Sequence, residues 1–272
     1  PSAASPTDAA SPAAVAAVGS GVRASPRARQ RARELGVSLE GVVGTGPDGV
    51  IQVGDVEGAG PASGERLAGV RRAMARRMAD AHSRVVRATV TGEVDISAWS
   101  GTGSPVARLA RAITAAAVAA PRLNAWFDDR AETLILHDRV HLGIAMETSD
   151  GLFVPVLKDV AGHTLEDLAS ELARLEDEVR RRTVAPDTLR GQTISLSNFG
   201  AVAGLHAEMV VVPPQVAIVG AGRTFERTVL AEGAPATARI LPLSISFDHR
   251  VITGVEACTF LAALTADLEG DQ

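Results

Sequence analysis

Six histidines and one cysteine are the side chains of this sequence best suited to proton transfer, nucleophilic attack or metal binding. His249 follows an apolar run at 240–247 that predicts a strand, and by itself such a histidine is more often a hydrogen-bonded structural residue than a catalyst. The other five form no pair with metal-ligand spacing and a third candidate, so no metal is expected; they are His82, His137, His141, His163 and His206. Cys258 is single, which excludes an intrachain disulfide framework and fits a reducing compartment.

Two further patterns invite a functional interpretation. The glycines of Gly220-Ala221-Gly222 lack the GxGxxG spacing of a dinucleotide site, and no acidic residue follows in register on a second strand. Residues 23–34 hold five arginines against one acid, Glu34; an isolated basic run of this kind is usually a solvated helix face. The formal net charge of −5 gives no overall attraction to nucleic acid, and no apolar run approaches the ~20 residues that cross a bilayer.

Composition divides the 272 residues into four parts. Residues 1–21 are almost wholly Ala, Pro, Ser and Gly, which predicts a flexible linker. Residues 22–57 predict a small helical domain, with Ser25 as an N-cap, a first helix to Leu35 and a second helix at 53–56. A second linker is expected at 58–64 and a larger domain at 65–272.

The larger part alternates helical and strand patterns. Helices are expected at 66–83, 105–119 and 255–268, and a further one follows the capping-box pattern of Thr164 and Asp167. The predicted strands lie at 86–96, 140–146, 152–157, 193–197, 210–219 and 240–247. Because the order is mixed and not strictly βαβ, the predicted fold class is α+β.

The small part closely resembles a known domain. Residues 25–55 read SPRARQRARELGVSLEGVVGTGPDGVIQVGD, which is similar to the peripheral subunit-binding domain of the acyltransferase (E2) subunits of 2-oxoacid dehydrogenase complexes. The resemblance implies that Arg29 and Arg33 contact acidic surfaces of the E1 decarboxylase or the E3 dihydrolipoyl dehydrogenase, a pairing that depends on salt. Val50 stands where that domain usually has an arginine, which removes part of the expected contact.

The larger part resembles the catalytic domain of the same subunits along its whole length. The matching segments, in order, are GVRRAMARRMADA, PRLNAWFDD, GIAMETSDGLFVPVLKD, TISLSNFG, PPQVAIVGAG and SFDHRVITG. The resemblance implies the fold of chloramphenicol acetyltransferase and a homotrimer with active sites between neighbouring subunits. It also implies transfer of an acyl group between dihydrolipoamide and coenzyme A. Acetyl is the acyl group that we favour from the sequence, with branched-chain groups left open.

The resemblance assigns roles to individual residues. His249 would take the proton of the attacking thiol, and the Ser197 hydroxyl would stabilise the oxyanion across the subunit boundary. Thr253 stands where the family usually has an aspartate that fixes the active-site loop through charge pairing, so its hydroxyl retains hydrogen bonding but no charge. Coenzyme A would contact four residues, which are Ser104, Glu147, Ser197 and Asn198.

A second departure from the family concerns the segment 96–103. The family has a longer segment there, which contains a helix with an arginine that helps to bind coenzyme A, whereas ISAWSGTG cannot form that helix. We therefore expect a partly rebuilt binding groove with weaker affinity for coenzyme A. A catalytically weak scaffold or E3-binding subunit is the alternative function, and a free-standing acetyltransferase is disfavoured by the subunit-binding domain.

The remaining expectations concern the lipoyl group, assembly and location. Lys158 is the only lysine and lies inside the catalytic match, so the lipoyl group is expected from another domain or chain, ordinarily upstream of a linker such as residues 1–21. The polar ending at 267–272 predicts weak growth beyond the trimer, because larger cores rely on an apolar C-terminal segment. The expected location is the bacterial cytoplasm, or the mitochondrial matrix in a eukaryote.

Overall fold

The computed structural model describes residues 22–59, 67–99, 103–149, 151–202, 204–231 and 233–270. The chain divides into two compact units, Pro1–Arg66 and Leu67–Gln272. The linker predicted at 1–21 and most of the one at 58–64 lie outside the described residues. Gly58 and Ala59, the first two residues of the predicted second linker, belong to a helix.

The first unit is built from two short helices, α1 (Pro26–Leu35) and α2 (Val53–Ala59). The Ser25 hydroxyl accepts the Ala28 N–H and so caps α1 as predicted, and Gly36 ends it at a φ of 66°, where a side chain would be strained. The helices enclose a very small core, which consists of Ala28, Ala32, Val37, Ile51 and Val56.

The carboxylate of Asp55 connects α2, on which it lies, to the turn that contains Thr45. Asp55 accepts the N–H groups of Gln52 and Thr45 and the hydroxyl of Thr45, at 2.8, 2.9 and 2.7 Å. These hydrogen bonds to the charged form hold the pKa of Asp55 below its ordinary value. In so small a domain, such a polar connection adds order that the core alone cannot supply.

The second unit contains four helices, α3 (Gly69–Arg84), α4 (Pro105–Ala119), α5 (Leu165–Arg181) and α6 (Gly254–Glu269). The helices expected at 66–83, 105–119 and 255–268 are thereby confirmed. Thr164 and Asp167 form the predicted capping box at the start of α5. The amphipathic α5 buries one leucine stripe, consisting of Leu168, Leu172 and Leu175, with Val179.

Eleven strands have been identified in the described part of this unit, and seven of them form one sheet. In chain order they are β1 (Arg87–Asp95), β2 (Ala125–Asp128), β3 (Thr133–Leu136), β4 (Leu142–Ile144), β5 (Met146–Thr148), β6 (Gly151–Phe153), β7 (Val156–Leu157), β8 (Ile194–Asn198), β9 (Ala217–Ala221), β10 (Phe225–Ala231) and β11 (Ala234–Asp248). The large sheet has the order β1-β11-β9-β8-β4-β7, with β10 paired to part of β11. The pairs β4–β8 and β8–β9 are parallel and the others antiparallel, which confirms a mixed α+β fold.

The structure corrects several predicted strands. The strand expected at 210–219 forms only as β9, because Pro213 and Pro214 lack the N–H groups that an interior strand must donate. The backbone before these prolines donates its hydrogen bonds to side chains of β11 instead. The N–H groups of Ala207 and Met209 donate to the hydroxyls of Ser244 and Ser246. The strands expected at 140–146 and 152–157 each divide between two sheets, and β2, β3 and β10 were not predicted.

Candidate active site

His249 occupies the tight turn that follows β11. Its N–H donates to the carbonyl of Val86 at 2.7 Å, which ties the turn to the segment between α3 and β1. Its ring lies against Phe247, with ring centroids 5.5 Å apart, and the residue is exposed. The backbone of His249 is thus fixed while its imidazole faces outward.

The residues on either side of His249 form an ion pair that shapes the turn. Asp248 is only 2% exposed, and the Arg250 guanidinium donates to it through Nε at 2.9 Å and through Nη2 at 2.6 Å. These hydrogen bonds to Asp248 raise the pKa of Arg250 above its ordinary value, despite the opposing effect of burial. The carbonyl of Asp248 also accepts the N–H groups of Val251 and Ile252. The histidine is therefore presented by an internally bonded turn.

Thr253, predicted to act at the active site, is the N-cap of α6. Its N–H and its hydroxyl both donate to Oε2 of Glu256, at 2.7 and 2.8 Å, and its hydroxyl oxygen accepts the Glu256 N–H at 3.3 Å. This reciprocal pairing is a capping box, so the threonine hydroxyl is already engaged in starting the helix.

Glu256 supplies a negative charge one helical turn beyond Thr253. The Nε of Arg122 lies 2.9 Å from its carboxylate, and Nη2 of the same arginine donates to the carbonyl of Val251 at 3.1 Å. Burial alone would raise the pKa of Glu256, but the hydrogen bonds from Thr253 and the charge of Arg122 together lower it. A carboxylate is therefore connected to the His249 turn although position 253 has none. We did not predict this residue, but the Thr-x-x-Glu capping pattern at 253–256 is the sequence signal that identifies it.

Ser197 lies on β8 and lines a cavity of about 460 Å³, which we call the serine cavity. Among the described residues its hydroxyl has no hydrogen-bond partner, whereas the neighbouring Ser195 hydroxyl donates to Oε1 of Gln215 at 2.7 Å. The cavity wall is largely apolar and is formed in part by exposed side chains of α3; it includes Val70, Met74, Met78, Leu152, Phe153, Met209 and Ile218. An unengaged hydroxyl in an apolar cavity is suited to donate to a developing oxyanion.

A single chain does not bring Ser197 and His249 together. Ser197 pairs with Gly220 on β9, and Gly220 pairs with Ser244 on β11, five residues before His249. At about 3.3 Å per residue along a strand and about 4.8 Å between strands, the two residues are roughly 15–20 Å apart. A site that uses both must therefore combine two copies of the chain or require a large rearrangement.

The residues predicted to contact coenzyme A fall in different places. Asn198 lines a second cavity of about 480 Å³, and Gly103 and Pro105, which flank Ser104, line the same cavity. The Ser104 hydroxyl caps α4 by accepting the Ala107 N–H at 3.3 Å. Glu147 is exposed on the small β5–β6 sheet, and it lines neither the second cavity nor the serine cavity.

The short segment at 96–103 is anchored where the structure describes it. Residues 100–102 lie outside the described part, but Trp99 is buried and its indole N–H donates to the carbonyl of Leu268 at 2.7 Å. Between Ile96 and Trp99 the described chain forms a turn.

The two arginines predicted to contact partner subunits both lie on α1. Arg29 donates through Nη2 to the carbonyl of Val22 at 2.6 Å and through Nε to that of Ala24 at 3.3 Å, so part of its guanidinium is used within its own unit. Arg33 is exposed in the last turn of the helix. Both side chains remain at the surface, where an acidic partner can reach them.

The described ranges contain neither a metal-binding cluster nor a membrane-spanning helix. There, no cluster of three or more His, Cys, Asp or Glu side chains could hold a metal ion. In the same ranges no helix has the length and hydropathy needed to cross a bilayer.

Comparison with protein families gives two matches. Residues 60–271 match the model described as 2-oxoacid dehydrogenases acyltransferase (catalytic domain), and residues 22–57 match an E3 binding domain. Together these cover almost all of the described chain.

The curated relatives are similar to this chain across both of its domains. The lipoamide acyltransferase component of the branched-chain alpha-keto acid dehydrogenase complex of Pseudomonas aeruginosa is 35% identical over 90% of this chain, and the match covers 65% of that protein. The dihydrolipoyllysine-residue acetyltransferase component of the acetoin cleaving system of Bacillus subtilis is 30% identical, over 91% of this chain and 69% of its own length. The chain thus spans somewhat less than two thirds of the Pseudomonas protein.

Solved structures share the fold of the second unit. The dihydrolipoamide acetyltransferase of Azotobacter vinelandii superposes with a TM-score of 0.71 at 26% identity, over 77% of this chain and 92% of that one. That protein was studied for the roles of a serine, a histidine and an asparagine in its catalytic mechanism. The cubic core of the pyruvate dehydrogenase multienzyme complex gives a TM-score of 0.72 at 27% identity, with the same coverage.

Proposed function

The chain belongs to the 2-oxoacid dehydrogenase acyltransferase family, and we propose that it transfers an acyl group between dihydrolipoamide and coenzyme A within a 2-oxoacid dehydrogenase complex. One observation carries this proposal. Ser197 precedes His249 by the same number of residues as separates the serine and the histidine studied in the Azotobacter protein. Thr253 follows His249 by the same interval as that protein's asparagine follows its histidine, so the third polar position is also retained.

The proposed reaction is an exchange of thioesters. A thiol with a pKa near ~8.5 is only a few per cent ionised at neutral pH, so His249 takes its proton as the sulfur attacks the thioester carbonyl. The new carbon–sulfur bond produces a tetrahedral oxyanion, to which the Ser197 hydroxyl donates. When the oxyanion collapses, the original carbon–sulfur bond breaks and the departing sulfur recovers the proton from the imidazolium. Each step is neutral overall and consumes no further reactant.

Two copies of the chain would share each site. Because Ser197 and His249 of one chain are far apart, we propose that His249 of one copy faces Ser197 of the next in a homotrimer.

The first unit would dock a partner enzyme. Its match to an E3 binding domain supports binding to the dihydrolipoyl dehydrogenase, or to the decarboxylase, through the exposed arginines of α1. Arg29 and Arg33 are the residues that we propose for this contact. The lipoyl group would come from another domain or chain, since Lys158 lies within the catalytic match.

The proposal also specifies which acyl group the chain transfers. The sequence alone favoured acetyl, but two relatives at 35% and 34% identity are named for branched-chain alpha-keto acid complexes. The apolar wall of the serine cavity also suits a branched acyl chain, because burial of additional methyl groups is favourable there. We therefore propose a short branched acyl group as the preferred substrate, with acetyl transferred more slowly.

The direct test is a transfer assay on the full chain. Purified protein is mixed with dihydrolipoamide and either isobutyryl- or acetyl-coenzyme A, and the acylated dihydrolipoamide is measured by mass spectrometry. Since one methylene changes kcat/KM by about 10-fold to 200-fold, the branched donor should give the higher kcat/KM. Higher kcat/KM for acetyl would reject only the proposed acyl group. Absence of transfer with both donors, together with absence of coenzyme A binding in calorimetry, would favour the scaffold alternative.

A charge-removing variant tests whether Glu256 positions the His249 turn. Glu256→Gln retains the size and hydrogen bonding of the cap but loses the ion pair with Arg122. A small displacement of a catalytic group can reduce the rate by about 100-fold, so we expect kcat to fall by about 10-fold to 100-fold with KM little changed. Adding Thr253→Asp to this variant returns a carboxylate to the turn and should restore part of the rate.

The capping box of α5 provides the matched control. Asp167→Asn removes the equivalent carboxylate from a helix start that lies outside both cavities, so it should change thermal stability as Glu256→Gln does and leave kcat unchanged. Equal kcat for Glu256→Gln and wild type would show that Glu256 only caps its helix.

A further inference from the structure

An ion pair joins the end of α3 to the residue that follows β2. Nε and Nη2 of Arg84 donate to the two carboxylate oxygens of Asp129, at 2.9 and 3.1 Å, and Nη1 donates to Asp80 at 3.3 Å. The side chains of Arg84 and Asp129 are 39% and 24% exposed, so the pair is partly sheltered from water. A guanidinium that meets a carboxylate through two parallel hydrogen bonds is fixed in direction as well as in distance. The pair therefore holds together two segments that lie 45 residues apart in the chain.

Arg84 is connected to the His249 turn through the backbone. It is the last residue of α3, and Val86 follows it by two positions. The N–H of Val85 still donates to the carbonyl of Ala81 at 3.1 Å, so the chain after Arg84 remains tied to the helix. The carbonyl of Val86 in turn accepts the His249 N–H at 2.7 Å. A change in the direction in which α3 ends would therefore move the carbonyl that holds His249.

Asp129 is connected to the same turn through Phe127 and Arg250. The guanidinium of Arg250 lies 4.9 Å from the centre of the Phe127 ring, which is a cation–π contact between the turn and β2. Hydrogen bonds to Asp248 are the main cause of the raised pKa of Arg250, and the nearby charge of Asp129 adds to it. The pKa of Asp129 is lowered, first by its hydrogen bonds from Arg84 and in smaller part by the charge of Arg250. The Arg84 and Arg250 guanidinium groups thus both act on one carboxylate.

These contacts form a closed ring around the turn. Three links are a hydrogen bond, a cation–π contact and an ion pair, and the others run along the chain. In order, the ring consists of Arg84, Val86, His249, Arg250, Phe127 and Asp129. A closed ring resists distortion better than an open one, because no segment can move without stretching a contact elsewhere. The ion pair is the link that joins α3 directly to the segment after β2, so breaking it opens the ring.

We propose that Arg84 and Asp129 are positioning residues, whose ion pair fixes the direction of the His249 turn for proton transfer. Neither side chain lines the serine cavity or the second cavity, so neither is expected to touch the acyl group or the reacting sulfur. The inference rests on the proposed function for the role of His249. The rigidity that the pair gives to the turn can be measured without acyl transfer.

A double-mutant cycle in the transfer assay tests the pair. Arg84→Gln and Asp129→Asn retain polar side chains of similar size and each remove one charge. Because a small displacement of a catalytic group can reduce the rate by about 100-fold, each variant should lower kcat by about 10-fold to 100-fold and leave both KM values nearly unchanged. The double variant should lose little more than either single variant, because the two residues act through one contact. Arg84→Lys keeps the charge without the two parallel hydrogen bonds and should recover only part of the rate.

Two kinetic outcomes would overturn the proposal. Losses that multiply in the double variant would mean that the residues act separately. A rise in KM with kcat unchanged would mean that Arg84 binds a substrate directly. That substrate would lie in the cleft of about 580 Å³ that Arg84 and Asp129 line together with Asp80, Asp128 and Arg130.

Arg227→Gln is the matched control. Nη1 and Nη2 of Arg227 donate to the two carboxylate oxygens of Glu93 at 2.6 and 3.0 Å, and the guanidinium lies 5.1 Å from the centre of the Phe225 ring. This second pair combines the same two kinds of contact, at about 20 Å along β1 from the end beside the His249 turn. Its loss should lower the melting temperature about as much as Arg84→Gln does and leave kcat unchanged. Equal losses of kcat in both variants would contradict a specific positioning role.

Hydrogen exchange separates the geometry of the turn from its chemistry. The N–H groups of His249, Val251 and Ile252 are hydrogen-bonded, so their exchange reports how often the turn opens. Mass spectrometry should show severalfold faster exchange of this segment in Arg84→Gln, and unchanged exchange in Arg227→Gln. Faster exchange in a protein that transfers no acyl group would support the link between the pair and the turn and contradict the transferase. Unchanged exchange, or faster exchange with an unchanged kcat, would overturn the positioning role and leave the transferase standing.

Discussion

Replacing His249 with alanine is expected to lower kcat for acyl transfer by about 10²-fold to 10⁴-fold, the usual contribution of a positioned general base. The loss should be confined to the chemistry. The alanine retains the N–H that donates to Val86, and the exposed ring gives up only its contact with Phe247. The melting temperature and the Kd of coenzyme A should therefore stay close to those of the wild type.

The matched control for this variant is His163→Ala, which removes another exposed imidazole, far along the chain from the turn after β11. Steady-state kinetics of both variants, with either acyl donor, give the comparison. A fall in kcat of less than about 10-fold for His249→Ala would mean that this imidazole is not the base. The family membership would then stand, and the scaffold function would become the better explanation of this chain.

Most of the helices could be predicted from the sequence, because the residues that start a helix lie within a few positions of each other. Ser25 and the pair Thr164 and Asp167 start their helices as the capping rules require. The apolar run at 210–219 does not form one strand, because Pro213 and Pro214 have no N–H group to donate to a neighbouring strand. The short strands of the β2–β3 hairpin carry too few residues for alternation to be recognised.

The site was less predictable, because its parts come from distant segments. Arg122 is far from Glu256 in sequence, and only the fold brings the guanidinium between that carboxylate and the carbonyl of Val251. The second cavity likewise joins Asn198 to the neighbours of Ser104, which are distant in sequence. Ser197 and His249 were found through the family resemblance, since nothing in the local sequence distinguishes them from structural residues.

Thr253 and Glu256 together offer a helix cap and a negative charge, the two features that the resemblance implies for a single aspartate at position 253. An aspartate at this position would cap α6 and carry the negative charge at once, because a carboxylate can do both. Here the threonine retains the cap, and Glu256 carries the charge toward Arg122. The two roles are thus divided between two residues one helical turn apart, and we propose that this division preserves activity without an aspartate at position 253.

Replacing Ser197 with alanine is expected to lower kcat by about 10²-fold to 10³-fold, the usual effect of removing one oxyanion donor. KM for the acyl donor should rise by a much smaller factor than kcat falls, because the hydroxyl bonds most strongly to the charge that develops in the transition state. Ser195→Ala is the control: it removes a hydroxyl from the same cavity wall, but one that already donates to Gln215. Equal loss of kcat in both variants would indicate damage to the cavity and not to catalysis.

Mixing the two inactive variants distinguishes a shared site from a site within one chain. In a trimer formed from equal amounts of His249→Ala and Ser197→Ala chains, about a quarter of the shared sites combine an intact histidine with an intact serine. Co-expression should therefore restore about a quarter of the wild-type rate, although each variant alone is inactive. If both residues acted within one chain, every site would lack one of them and no activity would return. The roughly 15–20 Å between the two residues in a single chain makes restoration the expected result.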